Sequence, residues 1–411
     1  MVRVDEREQQ WQREQAIPEF ERQNPGIKIN LVPVVWADYD NKMQAMIAAG
    51  VAPDIFSLWG ASSFGDYNAR GWVANLTPYI QQDLVDLSDF LPGTVETYTL
   101  DGRIMGMPFQ TGGSYVFYNK ALLDAAGLIH PPVDWSDPDW TWQAFVDQCA
   151  KLTRLQNETA SGGFGCSLDF WPYDQYAWLW GHGIYPESSH PSGYAEKSNL
   201  DDPLAITAFQ SVQDLIWESQ VIPNPAGKIN PDEGDLFRAQ KVAMRLTGVW
   251  GWRLYADLAE FDWGVAALPA GADGRRDVLF TDAWLMSSKT THPQETWTFL
   301  KYLSSAEVQA QWMGITHAPP VRSSLVHRWA ALFSGMQSGE VEQVFLGSLD
   351  YGVESPSHML VGFTRLNHIV TEDIDQIFNN RQSAEEVLPT TDAEVEQELA
   401  EIRSEQEELD H

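Results

Sequence analysis

Residues 101–126, DGRIMGMPFQTGGSYVFYNKALLDAA, constrain the fold more than any other stretch of this chain. Asp101-Gly102 is a tight-turn pair, because glycine takes positive φ without steric cost. Residues 103–109 read as a short strand containing a proline. Residues 114–118, rich in aromatics and carrying β-branched Val116, read as a second strand. Between them lies Gln110-Thr111-Gly112-Gly113, whose adjacent glycines leave the backbone loose where the chain leaves one sheet and enters another. Asn119 suits the N-cap of a helix over 120–126, and Gly127 suits its C′ position. Strand, pliable crossing, strand and capped helix describe a hinge between two α/β lobes. An ordinary hairpin loop is the competing reading of the same residues.

The pattern DG-x-I-x-G-x-P followed by P-x9-YNK-x-LL-x-x-AGL (Pro108, Tyr118-Asn119-Lys120, Leu122-Leu123, Ala126-Gly127-Leu128) resembles the family 1 extracellular solute-binding proteins. These are the capture subunits of bacterial ABC importers, mostly for sugars, and the maltodextrin-binding proteins are among them. The resemblance runs almost to the C-terminus. It implies a two-lobe periplasmic-binding-protein fold of α/β class, class II-like, with the ligand in the interlobe cleft. Three hinge crossings are expected near 109–114, 280–285 and 318–323. The expected lobes are residues 1–111 with 284–320, and residues 112–283 with 321–411.

Composition narrows the function. A chain of 411 residues suggests two or three domains, and 44% hydrophobic with 20% charged residues reads as globular. A net charge of −32 argues against nucleic acid and anionic membranes, which both call for basic patches. The 18 tryptophans are an excess. Aromatic faces can stack on sugars, although core packing accounts for most of them. No run of 18 apolar residues occurs, so no transmembrane helix is expected. The first residues lack the apolar stretch of a signal peptide. Because the family is exported, the resemblance implies a processed or truncated chain working in the periplasm or outside the cell. A lipid anchor on the precursor stays open. Cys149 and Cys166 show neither C-x-x-C nor zinc spacing, and no metal or other cofactor is expected. Cys149 stands four after Phe145 and three before Leu152 on one helix face. Two buried free thiols are the favoured reading and a disulfide the alternative.

Residues 5–23 read as an amphipathic helix disturbed by Pro18, followed by a strand over 27–35. In the family a strand precedes this helix; here it would have to precede Met1, with Val2 to Val4 as its only remnant. The first strand is therefore expected to be missing. AAG-x-APDIF (Ala48 to Phe56) is the most specific family signature, and it opens a buried strand. Ligands of open α/β sheets sit beyond the carboxyl ends of strands. The segment SLWGASSF occupies that place here, which makes Trp59 and Ser62 ligand candidates. Maltodextrin-binding relatives carry an acid-base pair just after this tryptophan, where this chain has Ser62-Ser63.

In the second half, Pro138-Asp-Trp-Thr141-Trp142 resembles the family's helix entry, with Thr141 as N-cap. Trp171 and Tyr173 match positions where relatives place ligand-stacking aromatics; Trp178 and Trp180 on the next helix suit a core. LFRAQKVAMRLTGVW (236–250) resembles F-x-x-GK-x-AM-x-x-x-G-x-W, with Gln240 in place of the usual glycine. Gly248 permits close backbone approach, and Trp250 and Trp252 are candidates beyond that strand's end. Gln110, Thr111, Asp282 and Arg322 lie at the expected crossings and suit the fixing of ligand hydroxyls, and Trp284 in the second crossing is a further ligand candidate. Ser383-x-x-Glu386 and Thr391-x-x-Glu394 are capping-box patterns.

The leading functional reading is a monomeric, non-enzymatic protein. It would close two lobes on a carbohydrate and deliver it to the membrane permease of an ABC importer. Flat aromatic faces would meet the sugar's C–H faces, and polar side chains would pair the hydroxyls desolvated on closure. Two alternatives stand beside it. The same fold could hold a peptide or an organic anion, for which Arg253 and Arg322 speak. A glycoside hydrolase would need two suitably spaced carboxylates, and no catalytic motif appears.

Overall fold

The computed structural model describes residues 2–3, 6–35, 38–58, 63–158, 163–169, 173, 178–181, 183–186, 193–224, 235–354 and 359–409. The chain divides into two compact α/β units, one of Met1–Thr111 with Phe280–Leu332 and one of Gly112–Leu279 with Phe333–His411. The third passage thus falls after Leu332, beyond the expected 318–323. Residues 318–332 are tied into the first unit by their own bonds. Leu91 N donates to the Val321 carbonyl at 2.8 Å, Ser323 N to the Asp89 carbonyl at 2.8 Å, and Trp329 Nε1 to the His317 carbonyl at 2.9 Å.

The first unit carries β1 (Val2–Arg3), β2 (Pro33–Val34), β3 (Ile55–Leu58), β4 (Thr99–Leu100), β5 (Arg103–Ile104), β6 (Gly106–Gln110) and, after the return of the chain, β12 (Asp282–Met286). β12 is the central strand of β3-β12-β6 and is antiparallel to both neighbours. A core of Met107, Phe109, Trp284, Trp297, Leu300 and Trp312, among others, packs on this sheet. The N-terminal helical region is broken as Pro18 requires. Helices Glu6–Trp11 and Ile17–Gln23 flank a π-helical turn over Gln12–Ala16. Proline has no N–H for the Glu14 carbonyl, and a widened turn absorbs the mismatch. β1 pairs in parallel with β2, Val2 opposite Pro33 and Arg3 opposite Val34.

The second unit carries β7 (Ser114–Asn119), β8 (Phe164–Leu168), β9 (Val242–Gly248), β10 (Trp263–Ala266), β11 (Asp277–Leu279) and β13 (Gly352–Glu354). Its main sheet runs β10-β7-β9-β8, with β8 and β9 parallel and β7 antiparallel to β9. Asn119 caps the helix Lys120–Ala125 by accepting from Leu122 N at 3.1 Å, and Thr141 caps Trp142–Glu158 by accepting from Ala144 N at 3.2 Å. Ser383 and Glu386 form the reciprocal capping pair, the Glu386 carboxylate accepting from Ser383 N at 2.9 Å. Thr391 does not start a helix. It lies inside Ala384–Leu409 and donates its hydroxyl to Asp373 at 2.8 Å. Gln240 stands at φ +55°, a left-handed position that glycine would fill without strain.

Cys149 and Cys166 are joined in a disulfide, not free. The reading from one helix face placed Cys149 inward correctly, but the partner comes from β8, which packs on that helix with a Cα–Cα distance of 5.4 Å. Such proximity is a property of packing and not of spacing along the chain.

Candidate ligand-binding site

The parallel strands β8 and β9 end side by side in the second unit. Asp169 follows β8, and its backbone N–H donates to the Leu246 carbonyl at 3.1 Å, which holds it against β9. Its carboxylate gathers donors from β9 and from the turn beyond it. Arg245 Nη2 lies 2.8 Å from Oδ1, Trp250 Nε1 donates to Oδ2 at 3.0 Å, and the Thr247 hydroxyl also donates to Oδ2. Arg245 also pairs with Asp235, which accepts from the Tyr255 hydroxyl at 2.9 Å. Burial works against the guanidinium's charge, but Asp169 and the other acidic groups around it outweigh that cost and hold its pKa above the ordinary arginine value.

Trp250 is half-buried at the tip of this network. Its six-membered ring lies directly over Gly248, where a Cβ would overlap it. The close approach that Gly248 permits is therefore that of Trp250's own ring. With the N–H given to Asp169 and one side laid on Gly248, the indole is fixed in orientation, and its contact chemistry is that of an apolar aromatic surface. Asp169 was not singled out from sequence. The signal available was an acidic residue immediately after a strand, in the place where this fold class puts function.

The matching strand ends in the first unit carry Gln110 and Asp282, paired across β6 and β12 and both buried. The register shifts between Asp282 and Ala283, a bulge at this end of the strand. Thr111 and Thr281 share a hydroxyl–hydroxyl hydrogen bond of 3.0 Å, and Tyr98 donates to the Thr281 carbonyl at 2.7 Å. Gln110 Oε1 is buried and accepts no hydrogen bond among the described residues. An unpaired buried acceptor is costly, so a donor such as a ligand hydroxyl would be well received there.

Other candidates are placed elsewhere. Trp252 is wholly buried, ringed by Tyr115, Phe117 and Phe333 at centroid distances of 5.0–5.6 Å, so it is a core residue. Trp284 stacks on Phe109 at 4.7 Å within the first unit's core, because strand alternation turns it inward. Arg322 is engaged within the first unit. Its guanidinium sits 4.1 Å over the Phe90 ring, bonds the Ser304 carbonyl at 2.6 Å and pairs with Asp89 at 3.3 Å. Tyr173 is buried, donates to Asp375 at 3.3 Å and packs near Phe378. Trp59, Ser62 and Trp171 lie outside the described residues. Among the described residues no group of three or more His, Cys, Asp or Glu could hold a metal ion, and no helix is long and apolar enough to cross a membrane.

Comparison with known proteins decides the family. Residues 15–332 match the family described as bacterial extracellular solute-binding protein. The chain belongs to that family. A binding protein of Brucella abortus is 27% identical to this solute-binding protein over 71% of this chain and 68% of its own length. The sn-glycerol-3-phosphate-binding periplasmic protein of Rhizobium meliloti is 22% identical over 91% and 87% of the two chains. The ABC substrate-binding protein from Listeria monocytogenes, solved in complex with cycloalternan, superposes with a TM-score of 0.80 at 24% identity, covering 94% of this chain and 95% of that one. The fold is that of the two-lobe solute-binding proteins.

Proposed function

We propose that this solute-binding protein captures a carbohydrate, mono- or oligosaccharide, and delivers it to the permease of an ABC importer without chemical turnover. It acts as a monomer in the periplasmic or extracellular space and takes no nucleic acid. The observation that carries this reading is Trp250, an aromatic face oriented by Asp169 at the carboxyl end of β9. A pinned indole suits the C–H face of a pyranose. The buried acceptor of Gln110, with Asp282 and Thr111 near it in the first unit, suits hydroxyl donors. The likeness to a protein solved with cycloalternan supports the same class of ligand.

A glycerol phosphate, as in the Rhizobium relative's name, is the rival. It would need uncompensated positive charge, whereas Arg245 beside Trp250 is already flanked by Asp169 and Asp235. A thermal-shift panel separates the two. Sugars should raise the melting temperature, since a ligand at a hundred times its Kd adds about 2.7 kcal/mol. Response to sn-glycerol 3-phosphate alone would transfer the assignment to organic anions. Release of chromophore from nitrophenyl glycosides would transfer it to hydrolysis.

A further inference from the structure

β8 is an edge strand of its sheet, with β9 as its strand neighbour on one side. Its other side is fastened to the helix Trp142–Glu158 and to Val221. Gln156 Nε2 donates to the Phe164 carbonyl at 2.9 Å. Gly165 N donates to the Thr153 hydroxyl at 2.8 Å, and that hydroxyl donates to the Cys149 carbonyl at 2.9 Å. Cys166 N donates to the Val221 carbonyl at 3.3 Å. The Cys149–Cys166 disulfide is the covalent member of this series, and both half-cystines are buried. Helix and strand are in backbone contact here, since a Cβ on Gly165 would lie 2.0 Å from the Cys149 carbonyl oxygen. The disulfide attaches to β8 at Cys166, three residues before Asp169, about 10 Å at strand rise.

Asp169 accepts the Trp250 indole N–H at 3.0 Å, so whatever sets the end of β8 also sets the orientation of that ring. An edge strand opens locally more readily than a central one, because fewer bonds hold it. A covalent tie to the helix removes that freedom. We propose that the Cys149–Cys166 disulfide is a positioning element of the ligand site. By fixing the outer edge of β8 it holds Asp169 in place, and through Asp169 it orients the Trp250 indole. The role rests on the reading of Trp250 as the ligand face. A cross-link that acted only on the unfolded chain would raise the melting temperature and leave the folded site unaltered. A support behind a contact residue instead reduces the ordering that a ligand must impose on the site.

The test follows hydrogen exchange at the Trp250 indole N–H in the isotope-labelled full chain with no sugar present. Its resonance is the one lost in Trp250→Phe. The Trp135 indole N–H, which donates to the Val344 carbonyl at 2.9 Å in the same unit, is the control. Cys149→Ala with Cys166→Val should speed exchange at Trp250 about tenfold and leave Trp135 unchanged. Asp169→Ala should speed it at least as much, and adding the cysteine pair to that variant should change nothing further. Thr153→Val removes the hydroxyl between Gly165 and Cys149 but keeps the disulfide. It should speed Trp250 about threefold, and it carries the test if the cysteine pair fails to fold. Equal acceleration at both indoles would reduce the disulfide to general stability and overturn the proposal. Unchanged exchange at Trp250 would overturn it equally, as would a further gain when the cysteine pair joins Asp169→Ala. No sugar enters the measurement, so its outcome is independent of whether a carbohydrate is the ligand.

Discussion

Trp250 and Trp252 stand two residues apart after the same strand, in the sequence GVWGW, and the second unit uses them for different ends. Trp252 lies in the interior, enclosed by Tyr115, Phe117 and Phe333. Trp250 stays at the rim, half-buried, its N–H bound to Asp169 and its ring laid on Gly248. The difference teaches that an indole at a strand end stays outside the core, available for the ligand contact proposed for it, when something other than the core holds it. Here that holder is a carboxylate, itself anchored by Arg245 and Thr247.

The comparison breaks most readily at the interior member. Trp252→Ala should cost about 3–5 kcal/mol of stability, the usual penalty for truncating a buried tryptophan, read as a lower denaturation midpoint of the unliganded protein. A wild-type midpoint would mean that the aromatic cluster does not hold the unit together. Next in size, Trp250→Ala should weaken binding of a sugar ligand by about 2 kcal/mol, roughly thirtyfold in Kd, with little change in melting. Calorimetry beside a thermal melt reads both; wild-type affinity with a large loss of stability would move Trp250 into the core.

Smaller effects should come from the two residues that orient Trp250. Gly248→Ala places a methyl where the ring lies, and Asp169→Asn weakens the charged acceptor of the indole N–H. Each should lower affinity by about 1 kcal/mol, close to the worth of one hydrogen bond, and Trp250→Ala should mask both in double mutants. Additive losses in those doubles would show that Gly248 and Asp169 act independently of the ring.

The smallest effect concerns a second carboxylate of the same unit, Asp277, which is buried and accepts from Ser114 N at 3.0 Å and Val278 N at 2.7 Å. Burial raises its pKa well above the ordinary aspartate value, despite those donors. The folded chain thus holds this proton more tightly than the unfolded chain. Its contribution is fully present below the unfolded value near pH 4 and is lost as pH rises through the raised one. Asp277→Asn should therefore gain on the wild type in melting temperature as pH climbs from about 4. A difference that stays flat with pH would return Asp277 to ordinary aspartate behaviour.

Much of this protein was legible in one dimension because the rules involved are local. Asn119, Thr141 and Ser383 cap helices as their side chains require. Pro18 disturbs its helix, and the patterns around Pro108, Tyr118-Asn119-Lys120 and Ala48 to Phe56 point to the solute-binding family. Gln240 keeps the left-handed backbone of a position where the resemblance implies a glycine. Tertiary structure decided which side chains meet. Arg322, a ligand candidate by its place near a crossing, closes on Asp89, Phe90 and Ser304. Cys149 found its partner across a helix–strand contact. Asp169 gained its role only from a strand 76 residues away, the separation to Arg245. Periodicity and capping depend on residues a few positions apart, so the sequence by itself determined the elements and the family. Which indole is enclosed and which is presented depends on segments that meet only after folding, so the three-dimensional packing alone decided it.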